Sequence, residues 1–105
     1  MKYVYLTENF DDSLDWTNGW TGKAQFVYIT HEDGNANRGI EGDSHKGATD
    51  TPVSAPKLAN FTILPGTDIA NASGDKGEGI LLRVATAGEL YNVLVQGRKG
   101  TTAET

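Results

Sequence analysis

The sequence contains no cysteine, only three prolines and a single methionine, and its 9 basic residues are outnumbered by 14 acidic ones. Without cysteine there are no disulfides, no thiolate nucleophile and no zinc–thiolate site. The net charge of -5 argues against nucleic acid, whose binding rests on Lys and Arg displacing counterions from phosphate. It argues equally against anionic membrane surfaces. No apolar run approaches the roughly 18 residues that a membrane-spanning helix needs. The opening "MKYVYLTENF" has too short an apolar stretch for a signal peptide. On that ground a complete chain is expected to be cytoplasmic. Helical periodicity is lacking too, because Gly, Pro and β-branched clusters interrupt every apolar stripe spaced i, i+3, i+4, i+7.

What the chain does contain is a set of short strand-like segments. "KYVYLT", "AQFVYIT", "KLANFTIL", "GILLRVAT" and "ELYNVLVQG" are rich in Val, Ile, Tyr, Phe and Thr, and Gly-, Asn- and Asp-rich turns separate them. The strands align with one another. Val4 and Leu6 match Val27 and Ile29, then Phe61 and Ile63, then Val93 and Val95, while Leu58 matches Leu90 and Asn60 matches Asn92. A second, shorter series places Leu14, Ile40 and Ile80 in register. Constant strands at unequal intervals are the mark of a solenoid whose loops vary. The expected fold is all-β, a short right-handed parallel β-helix of about three to four coils over residues 1–97, with a polar tail over 98–105. An antiparallel sandwich or barrel is the rival, signalled by hairpin-like Asn18-Gly19 and Asp33-Gly34.

"NFDDSLDWTNGWTGKAQFVYIT", "NRGIEGDS", "TPVSAPKLANFTILPG", "GILLRVAT" and "ELYNVLVQG" together resemble the later coils of a family of bacterial cell-envelope proteins. Those proteins are right-handed parallel β-helices similar to the pectin-lyase-like fold, often described as lipoproteins of unknown function. The resemblance covers nearly the whole chain and implies a location in the cell envelope or outside the cell.

Three constellations are candidates for chemistry. The first is acidic. Asp15 stacks on Glu41 in the aligned series, and Thr17 on Asp43 and Arg83. Asp11, Asp12, Asp15, Glu41 and Asp43 supply several of the oxygens that a calcium ion requires, although Asp43 pairing with Arg83 explains part of the set equally well. The second is aromatic. With Val4, Leu6, Val27 and Ile29 inward, Tyr3, Tyr5, Phe26 and Tyr28 point outward as two stacked pairs, suited to a sugar or to another protein surface. The third is Trp16 and Trp20, either ligand-binding or a core plug. His31 and His45 lack metal-ligand spacing. Ser13, Ser44, Ser54 and Ser73 lack a nucleophile-elbow context. "GDKGEG" lacks the ending of a phosphate loop.

A short solenoid exposes an unpaired rung at each end, and such edges recruit other chains. The expected function is therefore a non-enzymatic structural or interaction module forming a homodimer or higher homo-oligomer, most simply a two-fold dimer. A carbohydrate-binding module for a polysaccharide is the alternative. A calcium-assisted polysaccharide-active enzyme using Asp15, Glu41, Asp43 and Arg83 is the third reading. No cofactor other than calcium is suggested.

Overall fold

Seven strands and no helix make up the computed structural model, which describes residues 1–31, 38–45, 47, 49–64 and 78–96. The long strands are β1 (Lys2–Thr7), β3 (Lys23–Thr30), β5 (Lys57–Leu64) and β7 (Glu89–Val95), and the short ones are β2 (Leu14–Trp16), β4 (Ile40–Gly42) and β6 (Ile80–Leu82). Long and short strands alternate along the chain and segregate in space. The long ones form one sheet in the order β1-β3-β5-β7 and the short ones another in the order β2-β4-β6. Every pairing is parallel. Each turn of chain thus adds one rung to each sheet, giving three coils and the first strand of a fourth. The antiparallel alternative is ruled out by this pairing, and no helix is long and apolar enough to cross a membrane among the described residues.

The register is the one that the apolar alignment demands. Val4, Val27, Phe61 and Val93 lie side by side, as do Leu6, Ile29, Ile63 and, from β3 onward, Val95. Leu14, Ile40 and Ile80 form the equivalent ladder in the short sheet. Val27, Ile29, Ile40, Leu58, Phe61 and Ile63 are almost fully buried, and Val4, Leu6, Trp20, Ile80 and Val93 pack against this column. Stacking at about 4.8 Å per rung lets a polar chain bury a narrow apolar core with few residues.

The long strands are not straight. Tyr3, Phe26, Asn60 and Asn92 occupy the same place in successive rungs and all have positive φ, between 53° and 58°. This extra left-handed residue turns each strand through a corner, so inward residues step by three across it (Ala24 to Val27, Leu58 to Phe61) instead of by two. Asn60 and Asn92 suit that conformation. Asn92 Nδ2 donates to Asn60 Oδ1 at 2.6 Å, the side-chain ladder expected from their alignment.

Two sequence expectations are corrected here. The strand expected over "GILLRVAT" ends at Leu82, because Val84 and Ala85 take positive φ and turn the chain. Asn18-Gly19 is a tight turn with both φ positive (55° and 81°) and a Trp20 N to Thr17 O hydrogen bond, yet it joins strands of different sheets instead of closing a hairpin. Asp33-Gly34, the 98–105 tail and most of "GDKGEG" lie outside the described residues.

Candidate functional site

The outer face of the short sheet carries the charged site, and the register builds it in three columns. Two residues before the apolar ladder stand Asp12, Arg38 and Glu78; on the next outward position stand Asp15, Glu41 and Leu81; beyond the strands stand Thr17, Asp43 and Arg83. Arg38 is buried and donates from Nη1 to Glu41 Oε2 at 2.6 Å and from Nε to Glu78 Oε2 at 2.9 Å. Its backbone N–H donates to Asp12 Oδ1 at 2.9 Å. Arg83 grips Asp43 from Nε and Nη2, at 2.9 and 3.0 Å, and its Nη2 also meets Glu41 Oε1. Glu41 is therefore held between two guanidiniums. It points outward but is only 7% exposed. Burial raises the Asp12 carboxyl above the ordinary aspartate range, against the opposing pull of the Arg38 backbone N–H and charge.

A shallow cavity of about 260 Å³ opens beside this network, lined by Asp15, Thr17, Asn18, Glu41, Asp43 and His45. His45 Nδ1 lies 2.9 Å from Asn18 Oδ1, which fixes the ring at the rim. Of the carboxylates in this cavity, Asp15 is exposed, while Glu41 and Asp43 spend their oxygens on arginine N–H groups.

The five acids suggested as calcium ligands are thus not gathered into one shell. Asp11 is exposed in the turn before β2, Asp12 is tied to Arg38, Asp15 is exposed on the outer face, and Glu41 and Asp43 are bound to arginines. Among the described residues no group of three or more His, Asp or Glu side chains is arranged to hold a metal ion. Sequence reasoning found Arg83 but missed Arg38 and Glu78. Extending the Leu14/Ile40/Ile80 alignment two residues upstream reveals the alternating acid–base–acid column that contains them.

The aromatic residues stack as their alignment requires. Tyr3 and Phe26 are parallel at 5.1 Å with an interplanar angle of 7°, and Tyr5 and Tyr28 are tilted at 5.6 Å. Tyr3 is 78% exposed. The Thr30 hydroxyl, followed by Thr7, holds the Tyr5 phenol below its usual value. Of the two readings of the tryptophans, Trp16 takes the core position. Trp16 is only 5% exposed, packs tilted against half-buried Trp20 at 5.9 Å, and donates from Nε1 to Thr86 Oγ1 at 3.0 Å. It is a core side chain and not a surface for ligands, because the inward position of β2 faces Gly42, whose Cα lies under the indole.

Ser44 and Ser54 are fully buried and serve the backbone. Ser44 Oγ accepts the Ser54 N–H, and Ser54 Oγ accepts those of Gly19 and Trp20. His31 does not stand alone as its sequence context suggests. Its Nε2 lies 2.5 Å from Ser13 Oγ, which also accepts Asn9 Nδ2, so the turn before β2 is tied to the end of β3.

The family model of the pectate-lyase-like β-helix domain matches residues 1–104. No curated protein and no solved structure matched the chain.

Proposed function

The chain belongs to the pectate-lyase-like β-helix domain family, and we propose that this member acts as a non-enzymatic interaction module that associates with further copies of itself through its end rungs. One observation carries this reading. Positions that are sealed in the middle rungs are open in β7: Leu58 is 1% exposed and Leu90 38%, Ile63 is 0% and Val95 40%. The same strand presents Tyr91 and Leu94 outward, at 56% and 60%. An apolar strand edge of this kind is a template for another strand.

Light scattering tests the proposal. At tens of micromolar the mass is expected to be a multiple of 11.2 kDa, unchanged by millimolar calcium. Leu90→Lys with Val95→Lys should return it to one chain. A mass of one chain for the unaltered protein rejects the reading, and an oligomer that Tyr5→Ser with Tyr28→Ser dissolves moves the contact to the aromatic face. A second reading, sugar binding by that face, rests on the exposure and parallel stacking of Tyr3 and Phe26. It requires that oligosaccharide titration perturb both rings.

A further inference from the structure

Ahead of the corner, the outer face of the long sheet carries two columns of side chains. Lys23, Lys57 and Glu89 stack in one, and Lys2, Gln25, Ala59 and Tyr91 in the other. A groove of about 340 Å³ runs between them. Ala59, the smallest residue of its column, leaves a hollow in this lining, and Tyr91 on the end rung lines the groove beside it.

The charge in this groove is not balanced from within. Lys57 Nζ is paired with Glu89 Oε1 at 2.9 Å. Lys2 and Lys23 have no acidic partner among the described residues. Lys23 lies in register with Lys57, one rung away, and like charges so placed repel. In a chain of net charge -5, three lysines line one groove together with Ala24, Leu58 and Ala59, and the Met1 ammonium, bonded to Lys23 O at 2.7 Å, lies at its edge.

We propose that this groove is a binding site for a small organic anion with a flat apolar body. The carboxylate sits between Lys2 and Lys23, and the body lies over Ala59 against the Tyr91 ring. The anion relieves the Lys23–Lys57 repulsion, and the aromatic end supplies contact area that a bare inorganic ion does not use. The groove shares Tyr91 with the end rung proposed for self-association, so the titration is read on the Leu90→Lys, Val95→Lys single-chain variant as well, and binding that persists there separates the two readings.

Isothermal titration calorimetry with 2-naphthoate at low salt is the test. One site per chain is expected. Lys23→Glu and Lys2→Glu should each weaken binding roughly tenfold, and Ala59→Leu should fill the hollow and abolish it. The neutral 2-naphthol and the non-aromatic acid glucuronate should bind at least about tenfold more weakly than 2-naphthoate. Both lysines are exposed, and Lys23→Glu removes a repulsion, so the melting temperature of these variants should hold or rise. Naphthoate affinity unchanged in both lysine variants, or equalled by 2-naphthol, overturns the proposal. Glucuronate binding as tightly as naphthoate overturns the apolar half of it. If Ala59→Leu fails to fold, the lysine variants decide the matter.

Discussion

The corner residues show how one backbone position constrains side-chain choice. Tyr3, Phe26, Asn60 and Asn92 share a left-handed conformation that costs most residues about 1–2 kcal/mol and is cheapest for Gly and Asn. Asn60→Val should therefore lose about 2 kcal/mol in urea denaturation, from backbone strain plus the lost Asn92 hydrogen bond. Asn60→Gly, which tolerates the left-handed backbone but loses the bond and frees the unfolded chain, should lose about 1–1.5 kcal/mol. Equal losses would mean that the ladder bond and not the backbone is what matters. The matching Asn60 and Asn92 were legible in the sequence as an aligned pair. The corner itself was not, because Tyr3 and Phe26 fill the same position with residues that ordinarily signal plain strand. Trp16 was left between ligand contact and core plug for a similar reason: what buries it is the missing side chain of Gly42 on the next rung, a pairing visible only once the register is known.

At the scale of elements, the long strands were readable because the inward residues after the corner are large and apolar in every rung (Val4, Val27, Phe61, Val93), and the parallel pairing followed from their spacing. The third strand of the short sheet was overextended, since Val84 and Ala85 look like strand residues but turn the chain. Strand β7 ends the long sheet and pairs on one side only, and its outer contacts include an ion pair and a charge-assisted hydrogen bond at Glu89. Glu89 sits below its ordinary value chiefly because the Tyr91 hydroxyl donates to it, with Lys57 adding to the effect. A lowered carboxylate stabilises the fold above the usual glutamate range, and that contribution is lost as pH falls through the folded value. Asp12 has the opposite sign. Burial raises it, so it opposes folding increasingly as pH rises from the ordinary aspartate value to the raised folded one and fully above that, and acid relieves that opposition. Hydrogen exchange followed from pH 6 toward pH 3 should therefore show β7 amides losing protection earlier than those of β5. Lys57→Ala with Tyr91→Phe should remove most of the difference. Uniform loss across the strands would show that the Glu89 contacts contribute nothing.

For the molecule as a whole, the charged outer face of the short sheet is a structural bond between all three coils. Asp12 and Asp15 belong to the first, Arg38, Glu41 and Asp43 to the second, and Glu78 and Arg83 to the third. Glu41 joins the two arginines, and removing one partner of a buried ion pair leaves charge without compensation. Glu41→Ala should therefore destabilise by about 3 kcal/mol, read from the urea midpoint. Arg83→Ala, removing the half-exposed partner, should cost distinctly less. If both variants melt like the unaltered chain, the network contributes only to the surface. Half of it was legible from the Asp43–Arg83 alignment. The Arg38 half was hidden because the charged column begins outside the strand itself, where strand patterns give no guidance.

The rung order β1-β3-β5-β7 also has a mechanical meaning. The first and last rungs lie at opposite ends of the stack, and each rung bonds only to its neighbours. A load applied across those ends meets one ladder of backbone hydrogen bonds at a time and peels the stack coil by coil. A load applied along the strands must shear the ladders together. The molecule is thus a spring that is weak along its axis and stiff across it.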